Sequence, residues 1–254
     1  MIVKTKKSLG QNFIFDKNFL KKISDLINSN AIDIIIEIGP GLGTLTEYLF
    51  KKNYKQLILI EKDTRLIKRL ERNFSKGNVK ILNEDALNFD FQNNDISNSI
   101  IVGNLPFNIS VTLLYNWTKT RRWPPKQKMM VLMFQKEVAN RIIASQNNKS
   151  YGKLSVVVQS RYNVKKLLNV PSALFTPPPK VDGTILEFTP HNKYQSIDID
   201  KIDEVSKAAF SQRRKKIKNN MSNYIKILKK LSIDENLRPE NLSVSNYCEI
   251  AKNI

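Results

Sequence analysis

Only one cysteine, Cys248, and one histidine, His191, occur among the 254 residues. An intrachain disulfide is therefore impossible, and a zinc site built from Cys and His is excluded. Nucleophilic catalysis of the Ser-His-Asp or Cys-His kind would have to use His191. That residue follows Pro190 in a polar, loop-like stretch that suits a solvated side chain. Long apolar runs are missing too: no window reaches the length of a membrane span. The basic segment 1–15 holds no apolar core of the kind an export signal needs. A cytoplasmic protein with no membrane attachment and no metal is the expectation. Acidic residues are scarce, 23 Asp and Glu against 42 Lys and Arg, a net charge of +19. A surplus of that size attracts polyanions, and nucleic acid is the commonest. A compositional bias toward Lys, Asn and Ile is the competing explanation, and the placement of the charge decides between them.

What is present reads first as an α/β domain. Apolar, β-branched runs at Asp33–Ile38, Leu57–Glu61, Val79–Asn83, Ser99–Gly103 and Met129–Phe134 predict buried parallel strands. Thr44–Lys52, Thr64–Phe74 and Ser110–Lys119 predict the helices between them, covering both faces of the sheet. Lys153–Tyr162 and Val181–Phe188 read as further strands with no long helix between, which makes the far edge antiparallel. Gln92–Asn98 reads as a loop and Thr176–Lys180 (TPPPK) as a stiff extended connector. From Asp200 onward strand runs stop and apolar residues take helical spacing, as at Val205, Ala208, Ala209 and Ile217. The predicted division is therefore 1–190, an α/β domain, and 191–254, a small α-helical domain joined through His191–Ile199.

Three strand ends carry chemistry. Glu37–Thr46 (EIGPGLGTLT) passes from the first strand into a helix through Gly39, Gly41 and Gly43. Glycines there allow a sharp turn and close approach of a ligand, although a purely structural tight turn has the same composition. Glu61 ends the second strand about twenty residues later, the offset at which an acid meets ribose hydroxyls in this architecture. Asp85 follows the third strand, where a carboxylate can accept from an adenine amino group. Each acid alone could be a solvated strand end; two on one sheet edge outweigh either singly.

The sharpest motif is Asn104-Leu105-Pro106-Phe107, directly after the fourth strand. The lone pair of an adenine N6 is delocalised into the ring, so the amine is a poor nucleophile. Two acceptors aimed at its hydrogens draw it toward sp³ geometry and free the pair for attack on a sulfonium methyl. The Asn104 side-chain oxygen and the Leu105 carbonyl can supply them, Pro106 stiffens the turn, and Phe107 can stack on the base. A methyl donor already activated needs neither a general base nor a metal.

Together these residues resemble the ribosomal RNA adenine N6,N6-dimethyltransferase family, through nearly the whole chain. The likeness starts at Ser8–Ile14 (SLGQNFI), continues through Glu37–Thr46, Asn104–Ser110 and Tyr151–Ser155, and reaches Phe175–Val181 (FTPPPKV). Ala208–Lys216 (AAFSQRRKK) is most similar to the branch acting on two adjacent adenosines near the 3′ end of 16S rRNA. The resemblance implies a Rossmann-like class I methyltransferase domain with a mostly parallel seven-stranded sheet, S-adenosylmethionine as cofactor, and the immature 30S subunit as partner of a monomeric enzyme. It also implies roles. Asn12, Ile14 and Gly41 would touch the methyl donor, Gly39 would border its amino-acid part, Glu61 its ribose and Asp85 its adenine. Asn104 would serve donor and target base alike. Phe175 would offer a second aromatic face opposite Phe107, a plain core role being the alternative. Phe107 stands where many relatives have tyrosine; stacking survives that change and a hydroxyl hydrogen bond does not.

Arg213, Arg214, Lys215 and Lys216 open a run of five cations in six residues, read here as a helix whose phosphate contacts bind RNA. Lys4, Lys6 and Lys7 suggest a second contact region. Three other functions share parts of this pattern: a 23S rRNA adenine methyltransferase of the antibiotic-resistance type, a DNA adenine methyltransferase, and a ribosome-assembly factor for which methylation is secondary. The QRRKK segment argues against the first. The second usually has a further proline where Leu105 stands.

Overall fold

The computed structural model describes residues 11–27, 32–75, 77–91, 95–120 and 122–254. The described residues within 1–114, 125–136 and 165–189 pack as one compact unit, and those within 115–124, 137–164 and 190–254 as another. A boundary drawn at residue 190 thus meets a more interleaved chain, in which two earlier segments group with the C-terminal helices. Lys4, Lys6, Lys7 and Ser8–Gly10 lie outside the described residues.

The first unit begins with β1 (Phe13–Ile14) and α1 (Lys17–Asp25), the latter capped by Asp16, whose carboxylate accepts the Phe19 N–H. Five strands then run parallel: β2 (Ile34–Ile38), β3 (Gln56–Ile60), β4 (Val79–Leu82), β5 (Ser99–Gly103) and β6 (Gln127–Gln135). Their connections carry α2 (Thr46–Leu49), α3 (Thr64–Asn73) and α4 (Phe107–Thr118). Runs such as IIIEI, QLILI and SIIVG are almost wholly buried, as strands covered on both faces must be. After α5 (Lys136–Ile143) and α6 (Lys153–Gln159) come β7 (Tyr162–Val170), β8 (Phe175–Thr176) and β9 (Gly183–Pro190). The sheet order is β4-β3-β2-β5-β6-β9-β7, with β9 antiparallel to β6. The antiparallel far edge is therefore as expected. β1 and β8 make a separate antiparallel pair.

The chain leaves β2 toward β3 and β4, then returns to place β5 on the other flank. Ile38 lies beside Ile60 on one side and Gly103 on the other, so three strand ends open at one level. Strand order reverses there, and in sheets of this kind ligands bind in the crevice so formed.

The second unit holds α7 (Ile199–Ala209), α8 (Ile217–Asn220), α9 (Ile225–Lys230) and α10 (Val244–Lys252), with α6. Val156, Val157, Ile202, Val205, Tyr247 and Ile250 lie in one buried cluster. Two expectations fail here for physical reasons. Lys153–Gln159 is a helix, not the strand that its three consecutive valines suggest. The Gly152 N–H donates to Ser155 Oγ at its start, and burial in the helical core overrides the β-preference of Val156–Val158. Likewise Arg213–Lys216 is not helical. Phe210–Gln212 is one 3₁₀ turn, and the chain then turns into the four-residue α8. Asn220 Nδ2 closes that corner by donating to the carbonyls of Ala209 and Gln212, while Ile217 is fully buried. Thr44–Lys52 also contracts, to α2, because the glycine turn extends further than its spacing implies.

Candidate active site

The turn after β2 runs with positive φ at Gly39, Gly41 and Gly43. A Cβ on Gly41 would stand 2.6 Å from the Phe13 ring, so that glycine is needed for close packing as well as for its backbone angle. At Gly39 a Cβ would meet nothing within 4 Å: the backbone there faces open space, a cradle for a ligand. The Gly41 N–H donates to Glu61 Oε2 at 3.0 Å, and the Asp63 N–H to Oε1 at 2.8 Å. Glu61 thus ties the end of β3 to the glycine turn. Burial pushes its carboxyl above the usual range, and the two N–H donors pull the other way.

Asp85, after β4, accepts from Lys62 Nζ at 2.6 Å and from the Leu87 N–H at 3.0 Å. Burial raises its pKa, but the ammonium and the N–H more than offset that and hold it below the ordinary range. Asp63 is the α3 cap; the Arg65 guanidinium and the Gln11 amide beside it hold its carboxyl well below the usual values.

Glu37, inside β2, lines the same space and is buried. Its pKa is raised to about 7 by burial, against the hydrogen bond from Thr46 Oγ1 at 2.7 Å, with the nearby Glu61 charge adding to the rise. Ionising Glu37 therefore costs the fold on the order of 3 kcal/mol. The folded-state pKa lies above the ordinary value, so this stability is intact below pH 4.5 and is lost as pH rises to about 7. Glu37→Gln keeps an acceptor for Thr46 without the charge. Its melting temperature relative to the parent is expected to climb by about 6–12 °C between pH 4.5 and pH 8. A difference that stays flat across that range would refute the burial argument.

Asn104 closes the far side. Its Nδ2 donates to the Asn12 carbonyl at 3.3 Å, which sets the amide's orientation and leaves Oδ1 as the acceptor. The Pro106 carbonyl accepts the N–H groups of Ile109 and Ser110, so the Asn104–Phe107 turn is locked to the start of α4. Leu105 is buried, its side chain close against Gly103. Ile14 pairs with Phe175 across β1 and β8. The Phe107 and Phe175 rings meet edge to face, centroids 6.3 Å apart and planes at 66°. As they stand the two form one apolar wall and not two parallel plates.

Asn12, Ile14, Gly39, Gly41, Glu61, Asp85, Asn104, Leu105, Pro106, Phe107 and Phe175 all line a single cavity of the first unit. Residues read from six separated stretches of sequence are thus brought to one place. Among the described residues no group of three or more His, Cys, Asp or Glu could hold a metal ion, and no helix is long and apolar enough to cross a membrane.

The model of one protein family, ribosomal RNA adenine dimethylase, matches residues 2–254. The chain belongs to the ribosomal RNA adenine dimethylase family. Among its relatives, a ribosomal RNA small subunit methyltransferase A of Pelagibacter ubique is 40% identical over 260 residues, which covers 99% of this chain and 97% of that protein. Another from Francisella tularensis subsp. novicida is 40% identical over 257 residues, 98% and 97% of the two chains. The crystal structure of a dimethyladenosine transferase from Plasmodium falciparum superposes with a TM-score of 0.82 at 26% identity, covering 95% of this chain and 96% of that one. The 23S rRNA methyltransferase ErmE shares the fold, with a TM-score of 0.70 at 19% identity over 94% and 98% of the two chains.

Some contacts of this family site had no sequence signal. Glu37 stood in the glycine motif without a role, although an acid inside an apolar strand is itself a flag. Gln11 reaches Asp63 across 52 positions and Lys62 reaches Asp85 across 23, pairings that only the fold creates. The basic stretch lies in the second unit, and its four cations are not equivalent. Arg213 Nε bonds Glu240 at 2.9 Å and its Nη2 the Asn148 carbonyl, so it serves the fold. Arg214, Lys215 and Lys216 are exposed.

Proposed function

We propose that this chain dimethylates N6 of two adjacent adenosines near the 3′ end of 16S rRNA, acting in the cytoplasm as a monomer on the immature 30S subunit. The observation that carries the reading is the shared cavity: the Asn104–Phe107 turn opens beside the Gly39 cradle, Glu61 and Asp85. These residues fit S-adenosylmethionine, with Asn12, Ile14, Gly39 and Gly41 about its amino-acid end, Glu61 toward the ribose and Asp85 toward the adenine. The cofactor supplies a methyl group already activated on a positively charged sulfur. The chain's own task is to place the amine. Asn104 Oδ1 and the Leu105 carbonyl accept its hydrogens, Pro106 holds the turn, and Phe107 with Phe175 packs against the purine. To reach them the adenosine leaves its stack, at a cost of about a few kcal/mol when paired and less in a loop.

The names of the 40% identical relatives favour the small subunit over the large, whereas likeness to ErmE speaks for the fold alone. Labelled methyl groups should pass to 30S subunits lacking the modification, and digestion should yield N6,N6-dimethyladenosine. Label confined to 23S rRNA or duplex DNA, or absent from RNA, would sink the reading.

RNA affinity is assigned to Arg213, Arg214, Lys215 and Lys216, the last three as exposed phosphate partners, with Lys216 Nζ also donating to Asn236 Oδ1 at 3.3 Å. Changing Arg214, Lys215 and Lys216 together to Gln should weaken RNA binding and reduce the slope of log K against log salt by about 2–3. An unaltered slope places the phosphate contacts elsewhere. Arg213→Ala should also lower the melting temperature, because Glu240 loses its partner.

A further inference from the structure

Phe15 follows β1 directly and is 50% exposed. Among the described residues the exposed large apolar side chains are Phe15, Val181 and Ile254, and Phe15 is the one aromatic. An isolated exposed apolar side chain needs no explanation. This one has a location that does. Along the strand Ile14 turns into the core while Phe13 and Phe15 share the other face, their rings 6.5 Å apart at 61°. Phe13 and Ile14 both line the cavity, and Ile14 is in register with Phe175. Phe15 is the next residue in the chain after two that line the cavity, and one residue from the strand pair that carries the ring assigned to the target base. The helix that follows presents Lys17 and Lys21, both exposed and one turn apart. Between them and the ring, the Asp16 carboxylate is committed to capping α1.

We propose that Phe15 is a stacking platform for a nucleobase flanking the target adenosine, with Lys17 and Lys21 holding the phosphates of the same strand. The inference rests on the reading of RNA as substrate and adds a second, unassigned base subsite to it. An adenosine drawn out of its stack leaves its neighbour with a bare face. An exposed aromatic ring restores that contact, and it does so without reading the base, because every base has a π-face. An exposed aromatic ring followed by exposed cations on the next helix supplies the two kinds of group that single-stranded RNA selects.

The test compares the full-length protein with Phe15→Ala, Phe15→Leu and Phe15→Trp. Binding of an unstructured, adenosine-containing RNA oligonucleotide is followed by anisotropy, and methylation of unmodified 30S subunits by label transfer. Ala and Leu should each weaken oligonucleotide binding by about 10-fold, whereas Trp should bind at least as well as the parent, its fluorescence quenched on addition of RNA. In the methylation assay Ala should raise KM for the subunit with kcat within about 2-fold of the parent. S-adenosylmethionine affinity and melting temperature should be unchanged in all three, as expected of an exposed side chain. Lys17→Gln with Lys21→Gln should flatten the salt slope by about 1–2. Equal RNA affinity and equal KM for the parent and Phe15→Ala, with methylation intact, would overturn the Phe15 assignment alone. A parent that transfers no methyl group to RNA would overturn the reading of the active site, and this inference with it.

Discussion

Asn104→Ala is expected to cut the single-turnover rate of methyl transfer by about 10³-fold while leaving S-adenosylmethionine bound. The asymmetry follows from when the interaction matters. An amine hydrogen donates weakly to Asn104 Oδ1 in the ground state. As nitrogen gains positive charge in the transition state the same contact strengthens, so its loss falls on the chemical step. The cofactor keeps Glu61, Asp85 and the glycine cradle, which lie on other strand ends. Its dissociation constant should shift by less than about 10-fold, mainly because the Asn12 carbonyl loses its tie to Nδ2. Asn104→Asp separates these effects. It retains an acceptor for the amine but sets an oxygen against the Asn12 carbonyl, so its activity should fall between parent and Ala. Quenched-flow transfer to 30S subunits and cofactor calorimetry together decide it. An Ala variant within about 3-fold of the parent rate would remove the acceptor role.

Where chemistry sits at strand ends, the sequence was readable because the sheet imposes the order. Four of the five parallel strands end beside the cavity, so Gly39, Glu61, Asp85 and Asn104, each at or just after a strand end, converge by topology alone. Local signals did less well where tertiary packing competes with propensity. Three valines in a row at 156–158 argue for a strand, but all three are buried in a helix, and Val156 and Val157 enter the helical core. The cations at 213–216 suit a helix face, yet buried Ile217 and the Asn220 contacts turn the chain there. The interleaving of the two units was not legible at all, since contact between 137–164 and 190–254 leaves no mark in composition. Nor was the mutual geometry of Phe107 and Phe175. Their motifs place both at the site, while the fold alone sets them edge to face. A base lying flat on Phe107 consequently finds Phe175 at its margin unless that ring turns.

The second large effect belongs to Glu61. Its two oxygens already accept from Gly41 and Asp63, so the same carboxylate that meets the ribose also holds the turn lining the cofactor's amino-acid end. Removing it deletes charge-assisted hydrogen bonds on the ligand side and leaves two buried N–H groups without an acceptor. For Glu61→Ala, S-adenosylmethionine affinity is expected to fall by on the order of 10²-fold or more, with a lower melting temperature. Glu61→Gln should come close to Ala, because its amide nitrogen would have to face one of two N–H donors. A pH titration distinguishes this account from simple loss of packing. Burial raises the Glu61 pKa, so the acceptor anion disappears at a higher pH than for a surface glutamate. Cofactor affinity in the parent should therefore decline as pH falls through that raised value. The stability contribution runs the other way: it is present at low pH and diminishes as the buried carboxyl ionises. In Glu61→Gln both contributions vanish, and what remains is the titration of Glu37, still raised by burial but no longer by the Glu61 charge. If affinity in the parent and in Glu61→Gln is equal at neutral pH, the carboxylate is structural and the ribose must be held by other groups.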